Sequence, residues 1–391
     1  MRLVVLLALL SACSHNGESH PMGWREDLGV LQTTIATRHK NPFFHLPEAD
    51  WRRSVADLDQ RIPTLDDAHV LVGFARLVAS LGDAHTRIGA SGTSGRYPLA
   101  FTWFDDGIYV TGAKDASLIG KRLAGIGTHS TAEVTAALAL LVPHENDHGI
   151  HDEVPLLLAD RALLAGTDLA PLDHATFQLA GADGTIQPFD AVPEMTSIRV
   201  APPRSLPLHL QGPNTYYWNK YVEADRLLYL AYNACANDDR VGPFATFAQS
   251  TLAFVDQHPV ERFVVDLRRN AGGNSEIIQP LIDGLAARPN VKVYAIIGMH
   301  TFSSAMLAAM DLKRRAHATL VGGGTAGKPT SYGEIAVFEL PHSKLAVQYS
   351  TKLFSNPDFP GDTVAPDIPV VVNARDWFDG RDPALDAITA R

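Results

Sequence analysis

Hydrophobic residues recur at steps of three and four through the first part of the chain, a period typical of amphipathic helices. Three segments show this period and end near a proline or glycine: residues 24–41, 49–62 and 64–82. Thr64 is the predicted N-cap of the third helix, with Asp67 three residues on as an imperfect capping box. The pattern predicts a helical domain over residues 24–92.

Between residues 93 and 205 the helical spacing of hydrophobic residues gives way to short apolar runs separated by turn signals, a pattern typical of strands. Residues 99–104 and 108–111 flank Asp106-Gly107, which predicts a β-hairpin. Residues 176–179 are predicted to pair with residues 185–189. We therefore expect a β-rich second domain.

Two further segments complete this domain. Residues 131–141 have a helical pattern that begins at Ser130 or Thr131. Residues 142–172 show no clear period, so they are predicted to be a loop-like insertion.

From residue 216 onward, short apolar runs alternate with longer amphipathic segments. Strands are predicted at residues 227–232, 263–267, 291–297 and 319–322, and helices at residues 242–257, 274–287 and 302–315. This alternation predicts a layered α/β domain over residues 206–391 with buried strands. The expected fold class of the whole chain is α/β, as an α+β multidomain protein.

The bulk composition is that of a globular protein. With 391 residues and 46% hydrophobic content, the chain is long enough for two or three domains with full cores. Its 33 basic and 43 acidic side chains give a net charge of −10, and no lysine-arginine run is present. Nucleic acid is therefore not expected as a partner.

The first residues have the features of an export signal. An apolar run over residues 3–10 is too short to span a membrane, and Leu10-Ser11-Ala12-Cys13 resembles a bacterial lipobox. The resemblance implies a signal peptide over residues 1–12, a lipid on Cys13 and a tether over residues 13–23. The protein would then be an exported lipoprotein of the cell envelope, on the periplasmic face of the outer membrane if the cell is Gram-negative. A plain secretory signal with a chance cysteine is the alternative.

Cys235 is the second of the two cysteines. If Cys13 carries lipid, no intrachain disulfide can form. We expect Cys235 to be a buried, apolar thiol without a catalytic role.

The α/β region contains the parts that a Ser-Lys hydrolase requires. Ser303 follows a predicted strand and opens a predicted helix, where unpaired amides and the helix dipole favour negative charge. Lys328 is the candidate base, provided that burial lowers the pKa of its amine from about 10.4. The amides of Gly272, Gly273 and Ser304 are the predicted oxyanion hole. The hydroxyl of Ser304 is the rival nucleophile, and capping of the helix is the structural alternative for Ser303.

Three motifs, in this order along the chain, resemble those of the tail-specific, or C-terminal processing, serine peptidases. They are residues 266–273 (Asp-Leu-Arg-Arg-Asn-Ala-Gly-Gly), 303–306 (Ser-Ser-Ala-Met) and 321–328 (Val-Gly-Gly-Gly-Thr-Ala-Gly-Lys). The resemblance implies a Ser303–Lys328 dyad, a protein or peptide substrate and no cofactor. It also implies a core of the crotonase/Clp type, related to the tricorn core and to retinoid-binding modules, and a divergent PDZ-like domain over residues 93–205.

Some positions depart from the family pattern. Met306 replaces an acidic residue, and Tyr332 replaces the glutamine that often orients the lysine. Glu334 is a nearby candidate for that task, and Asn270 in the first motif is a further candidate to support the site. Recognition of a free C-terminus is not implied, because no PDZ carboxylate-binding loop is recognisable.

Two histidine-containing segments remain. Residues 83–86 (Asp-Ala-His-Thr) resemble a segment of the same family, and a buried, hydrogen-bonded helix terminus is the favoured interpretation. His144-Glu145-Asn146-Asp147-His148 matches the His-Glu-x-x-His zinc pattern, with His151 beyond it. Pro143 and Gly149 flank the motif, which argues against a continuous helix through it, so no metal is expected.

The sequence thus favours an exported serine peptidase with a Ser-Lys dyad. One alternative is a non-catalytic ligand-binding module on a peptidase fold, which an exposed, charged Lys328 would favour. The other is a zinc peptidase using His144, Glu145 and His148, which inhibition by a chelator would favour.

Overall fold

The computed structural model describes residues 21–89 and 95–391. The helices are α1 (Pro21–Arg38), α2 (Glu48–Arg61), α3 (Asp67–Ala79), α4 (Thr131–Ala139), α5 (Asp147–Leu157), α6 (Arg161–Gly166), α7 (Leu208–Gln211), α8 (Phe244–Gln257), α9 (Gln279–Ala286), α10 (Ser304–Ala316), α11 (Ala374–Asp379) and α12 (Pro383–Thr389). The strands are β1 (Arg87–Ile88), β2 (Leu99–Phe104), β3 (Gly107–Ala113), β4 (Arg122–Ile126), β5 (His129–Ser130), β6 (Ala175–Ala180), β7 (Ile186–Ala191), β8 (Tyr217–Val222), β9 (Leu227–Tyr232), β10 (Arg262–Asp266), β11 (Lys292–Ile297), β12 (Thr319–Gly322), β13 (Ser331–Glu339), β14 (Ala346–Phe354) and β15 (Ile368–Pro369).

The chain divides into two compact units rather than the three domains expected. The N-terminal unit contains the described residues up to Ala201 together with Thr330–Ser355, and the C-terminal unit contains Pro202–Pro329 and Asn356–Arg391. The predicted boundary near residue 205 therefore lies close to the observed one. The predicted signal peptide and Cys13 lie outside the described residues, and the last three tether residues belong to α1.

In the N-terminal unit, helices and sheet share one hydrophobic core. Helices α1–α3 pack with the sheet of order β2-β3-β4-β6-β7, in which β5 also pairs with β4. Trp51 and Phe74 from the helices and Tyr97 and Phe177 from the β-rich part are all fully buried in it. The predicted helical and β-rich domains therefore share one core, because the apolar side of the helices and the apolar face of the sheet cover each other.

The hairpin β13–β14 also belongs to the N-terminal unit, although residues of the other unit flank it in sequence. Strand β14 pairs antiparallel with β1 and with β13. The fully buried carboxylate of Asp27 accepts hydrogen bonds from the amides of His342 (2.8 Å) and Ser343 (2.7 Å) at the hairpin turn. These contacts explain why residues 330–355 pack in the N-terminal unit, although the sequence pattern placed them in the α/β domain.

Local expectations in this unit are partly confirmed. The two predicted strand pairings exist as β2–β3 and β6–β7, and α4 begins with a capping box between Ser130 and Glu133. The predicted cap of α3 was wrong, since Asp66, not Thr64, accepts the amide of His69.

The predicted loop over residues 142–172 was also wrong, because it contains α5 and α6. Asn146 caps α5 and Asp160 caps α6 through their side chains. Pro155 lies inside α5, and Gly149 lies in its first turn. Both residues are typical helix breakers, so they hide the helical period.

The C-terminal unit is a sheet of order β15-β12-β11-β10-β9-β8 with hydrophobic clusters on both faces. Strands β9 to β12 run parallel, and β8 closes one edge antiparallel to β9. The predicted strands are present with nearly the expected bounds, whereas helix α9 is shorter than the predicted 274–287. The mixed α/β class expected from the sequence is confirmed.

Parallel pairing brings the three sequence motifs to one edge of the sheet. Asp266 at the end of β10 lies beside Ile296 of β11, and Ile297 lies beside Gly322 of β12. The segments that follow these strands hold the glycine turn, Ser303 and Lys328. Such an edge, at the carboxyl ends of parallel strands, is where open α/β sheets place their sites. Among the described helices, none combines the length and apolar character needed to cross a bilayer.

Candidate active site

Ser303 has an unusual backbone. It lies between β11 and α10 with φ 54° and ψ −127°, a conformation in which a β-carbon is strained. Such strain persists only when surrounding contacts impose it, and it concentrates at functional positions. A sharp strand-to-helix turn of this kind exposes a nucleophilic serine at the top of an α/β sheet.

The hydroxyl of Ser303 does not cap the helix. Ser303 is the N-cap residue of α10, yet its side chain makes no capping hydrogen bond, and no other described residue hydrogen-bonds to its hydroxyl. The carbonyl of Ser303 instead accepts the amides of Met306 (3.0 Å) and Leu307 (3.2 Å). The capping alternative for Ser303 therefore loses its support.

Ser304 differs from Ser303 in its burial and in the hydrogen bonding of its hydroxyl. Its side chain is buried, and its hydroxyl donates a 2.6 Å hydrogen bond to the carbonyl of Gly273. A hydroxyl held in this way is a weaker candidate for the nucleophile than the partly exposed hydroxyl of Ser303.

The glycine turn after β10 packs directly against the turn that holds Ser303. Gly272 (φ 110°) and Gly273 (φ 133°) both have positive φ angles that side chains strain. A β-carbon on Gly272 would lie 2.7 Å from the β-carbon of Ser303, and one on Gly273 would collide with the carbonyl of Cys235. Glycine is required at both positions for close approach of the backbones.

Only two of the three predicted oxyanion-hole amides are available. The amide of Gly272 donates to the side-chain oxygen of Asn270 (2.8 Å), which favours Gly273 over Gly272 as the glycine donor. Among the described residues, none accepts a hydrogen bond from the amide of Gly273 or of Ser304. These two amides lie on adjoining segments, since the Ser304 hydroxyl reaches Gly273.

Asn270 organises the glycine turn. It is fully buried, its oxygen accepts the Gly272 amide, and its nitrogen donates to the carbonyl of Tyr232 (2.8 Å). The amide of Phe302 donates to the carbonyl of Asn270 (3.1 Å), which links the turn to the segment before Ser303. Asn270 thus organises the backbone on both sides of this site, without a hydrogen bond to the Ser303 hydroxyl.

A buried ion-pair network braces the start of the same turn. Arg268 donates to Asp266 (3.0 Å) and, through two nitrogens, to Asp382 (2.8 and 3.0 Å), the N-cap of α12. Burial would raise the pKa of Asp382, but the charge of Arg268 and a hydrogen bond with His209 hold it well below its usual range. The first motif is therefore tied to the C-terminal helix.

Cys235 is a buried, free thiol, as the sequence predicts. Burial raises the pKa of the Cys235 thiol to about 12, against weak lowering by hydrogen bonds with Tyr232 and Asn270. A thiol in this state is not a nucleophile at neutral pH. Its backbone, in contrast, pairs with Gly273 and holds the glycine turn.

Lys328 does not have the dry surroundings that the dyad hypothesis requires. Its side chain is exposed, although its loop lies against the start of α10. The amide of Ala326 contacts the carbonyl of Thr301 (3.4 Å), and the hydroxyl of Thr325 lies 3.5 Å from the sulfur of Met306. An exposed Lys328 is the feature expected of a non-catalytic ligand-binding module on this fold.

The other two candidates to support Lys328 belong to the N-terminal unit. The hydroxyl of Tyr332 accepts a hydrogen bond from Asn41 (2.9 Å), and its ring lies 4.7 Å from that of Phe44. Glu334 is exposed, has φ 53°, and lies 3.5 Å from the amine of Lys352. Both contacts are made inside the N-terminal unit.

Asp83 and His85 form a buried polar cluster after α3, as the structural interpretation of residues 83–86 predicts. Burial would raise the pKa of Asp83, but hydrogen bonds from His39, Thr86 and the amide of His85 lower it to about 2. The His39 ring lies 2.8 Å from that carboxylate. Burial lowers the pKa of His85 to about 4, only partly opposed by the charge of Asp83.

The zinc pattern at residues 144–148 is not realised. Helix α5 begins at Asp147, so His144 and Glu145 precede it, and the two histidines do not share a helical face. Glu145 instead lies with Asp83 and His85, whose potential ligand atoms are within 4.8 Å of one another. This group is a poor fit for a metal, because Asp83 already accepts from His39, Thr86 and the amide of His85.

Comparison with solved structures finds this fold elsewhere. Mature CPAF matches with a TM-score of 0.66 and 15% identity, covering 94% of this chain and 96% of CPAF. Mature CPAF complexed with lactacystin matches with a TM-score of 0.67 and 14% identity, covering 94% and 98%. No protein-family profile and no curated protein sequence matches the chain. The likeness shows that the chain has the fold of CPAF over nearly its whole length.

Proposed function

We propose that this protein is a serine-type peptidase in which Ser303 is the nucleophile. The observation that carries the proposal is the strained backbone of Ser303 (φ 54°), directly before a helix whose cap its hydroxyl does not supply. The resemblance of three ordered motifs to tail-specific peptidases and the shared fold with CPAF support the same reading.

The reaction begins when the Ser303 oxygen attacks the carbonyl carbon of a peptide bond and loses its proton to a base. The amides of Gly273 and Ser304 donate to the oxyanion that forms. The carbon–nitrogen bond then breaks as the base returns the proton to the leaving amine. A water molecule then attacks the acyl carbon and gives a proton to the same base. The ester bond to the Ser303 oxygen breaks, the base returns the proton to that oxygen, and the new carboxyl end is released.

Lys328 is the base in this proposal, with one added requirement. The side chain of Lys328 is exposed, so a bound substrate must cover it and displace the surrounding water before its amine acts as the base. The support for Lys328 is its motif and the packing of its loop against the start of α10.

A non-catalytic ligand-binding module is the second candidate, and the exposure of Lys328 favours it. The two candidates differ in one property, the reactivity of the Ser303 hydroxyl. A fluorophosphonate reagent measures it directly, because an activated serine oxygen displaces fluoride from phosphorus, whereas an ordinary serine does not.

The test is to treat the protein with a fluorophosphonate probe and to locate the phosphonyl group by mass spectrometry. We expect modification at Ser303, none in Ser303→Ala, and loss of casein hydrolysis in that variant, with no effect of a chelator. Modification at Ser304 would move the nucleophile by one position. Unmodified wild-type protein would favour the binding module.

The proposed setting is the cell envelope, with the protein held by a lipid on Cys13. The support is the sequence of residues 10–13. Metabolic labelling with a palmitate analogue should mark the wild type and leave Cys13→Ser unlabelled. Labelling of both proteins equally would rule out this anchor.

A further inference from the structure

The Ser304 hydroxyl is not needed as a nucleophile, yet it makes a short, buried hydrogen bond at the site. It donates to the carbonyl of Gly273 over 2.6 Å. We infer that Ser304 is a positioning residue whose hydroxyl fixes the Gly273 backbone, so that the Gly273 amide points at the developing oxyanion. This inference rests on the proposed peptidase function.

The peptide plane before Gly273 sets the direction of its amide. The carbonyl of Gly272 accepts a hydrogen bond from the amide of Cys235 (3.0 Å). In a trans peptide the N–H points opposite to the carbonyl of the same plane. The Gly273 N–H therefore points away from Cys235.

The peptide plane after Gly273 shows what lies on that far side. The amide of Asn274 donates to the carbonyl of Cys235 (2.7 Å), so the Gly273 carbonyl in the same plane also points away from Cys235. That carbonyl reaches the Ser304 hydroxyl. The start of α10 is thus on the side to which the Gly273 amide points.

Gly273 needs such a fixed partner because it has no side chain of its own. Its φ of 133° is accessible to glycine, and glycine changes φ and ψ more easily than any other residue. The backbone of Cys235 holds one side of the turn, and the Ser304 hydroxyl holds the other. Without that hydroxyl, the Gly273 carbonyl loses its partner and the amide on the preceding plane loses its fixed direction.

One residue then serves two donors of the oxyanion hole. The amide of Ser304 is itself a candidate donor, and its hydroxyl orients the second donor on Gly273. The Ser304 side chain thus links the two amides to each other. A donor placed correctly before the reaction avoids reorganisation during it, which is the basis of its effect on rate.

The test compares Ser304→Ala with Ser304→Thr, which keeps the hydroxyl, in hydrolysis of fluorescein-labelled casein and in the rate of fluorophosphonate labelling at Ser303. In Ser304→Ala we expect kcat and the labelling rate to fall by about 10- to 100-fold with KM unchanged, since a complete loss of one donor costs about 10²–10³. Ser304→Thr should recover most of the rate.

A matched control distinguishes a positioning role of the Ser304 hydroxyl from a general effect of its loss on protein stability. Thr251 on α8 is buried in the same unit, and its hydroxyl accepts a hydrogen bond from Asn219 (2.8 Å). Thr251→Ala should lower the melting temperature as much as Ser304→Ala does, with kcat unchanged.

The outcomes distinguish the inference from the proposed function. If Ser304→Ala retains the wild-type kcat, or loses rate only in proportion to folded protein, the positioning role is overturned and the peptidase remains. If Ser303→Ala stays active while Ser304→Ala is dead, both fail, because Ser304 is then the nucleophile. If the wild type neither cleaves casein nor reacts with the probe, the peptidase proposal fails and this inference fails with it.

Discussion

Gly272 lies so close to Ser303 that a side chain on the glycine would occupy the space of the serine. A β-carbon on Gly272 would stand 2.7 Å from that of Ser303 and 3.1 Å from the carbonyl oxygen of Phe302 and from the amide nitrogen of Ser304. The φ of Gly272 is 110°. The glycine turn of the first sequence motif therefore packs directly against the strained backbone of Ser303.

Replacing Gly272 with alanine should displace the serine and remove most activity. The new methyl group has neighbours on the rigid start of α10, and the positive φ adds strain of about 1–3 kcal/mol. We expect kcat to fall at least about 100-fold, since misplacing a reacting group by about 1 Å is that costly. Casein hydrolysis and thermal unfolding measure the two effects.

Gly298, on the same edge of the sheet, provides the matched control for that substitution. A β-carbon there would have no heavy atom within 4 Å. Gly298→Ala should keep activity and stability close to those of the wild type. Equal losses of activity in Gly272→Ala and Gly298→Ala would show that any side chain at this edge is harmful. The close approach of Gly272 to Ser303 would then not explain the effect.

Arg268→Lys should destabilise the C-terminal unit. Lysine cannot reproduce the two parallel hydrogen bonds to Asp382 together with the one to Asp266. Lysine keeps the positive charge but leaves part of the hydrogen-bonding capacity of two nearly buried carboxylates unmet, which costs about 1–3 kcal/mol. Urea denaturation should show a loss in that range.

The comparison for Arg268 is Arg288, which makes an equally paired contact with Asp256 at the surface (2.7 and 2.5 Å). The Asp256 side chain is 54% exposed. Arg288→Lys should therefore cost less than about 1 kcal/mol. A loss as large as that of Arg268→Lys would contradict the importance of burial.

Removing the amine of Lys328 tests the base. If a covered Lys328 accepts the proton of Ser303, Lys328→Ala should lower kcat by about 10²–10⁴, the range for general base catalysis. Lys220, an exposed lysine of the same unit that contacts Gln211, is the control, and Lys220→Ala should be fully active. Activity retained in Lys328→Ala would assign the base to another group.

The buried His85 should make stability depend on pH between about 6.5 and 4. The pKa of His85 is lowered to about 4 in the folded protein, whereas an unfolded histidine has about 6.5. Within that window the unfolded chain binds a proton that the native chain does not. The stabilisation is fully present above about pH 6.5 and decreases by about 3 kcal/mol as the pH falls to about 4.

Denaturation of His85→Gln across this pH range should show a flatter profile than the wild type. His174→Gln, at an exposed histidine, should leave the wild-type slope unchanged. Asp83 acts in a separate window, since its pKa of about 2 removes stability only as the pH falls below about 4. An unchanged slope in His85→Gln would mean that other groups cause the dependence.

The strands and helices of the C-terminal unit could be predicted from the sequence because buried parallel strands read as short apolar runs between amphipathic helices. Helix α5 could not, since Gly149 and Pro155 interrupt its pattern, and α6 has only six residues, too few to show a helical period. The hairpin β13–β14 was assigned to the wrong unit, because its contact with Asp27 joins residues more than 300 positions apart.

The sequence by itself determined the order of the motifs and the identity of Ser303, because strand, turn and helix signals are local properties of neighbouring residues. Tertiary structure decided which of the three backbone amides has an acceptor among the described residues, how strained Ser303 is and how exposed Lys328 is. Those properties depend on packing between segments distant in the chain. Asn270 accepts the Gly272 amide, the Ser304 hydroxyl donates to the Gly273 carbonyl, and the side chain of Lys328 is exposed. None of these outcomes follows from spacing along the sequence.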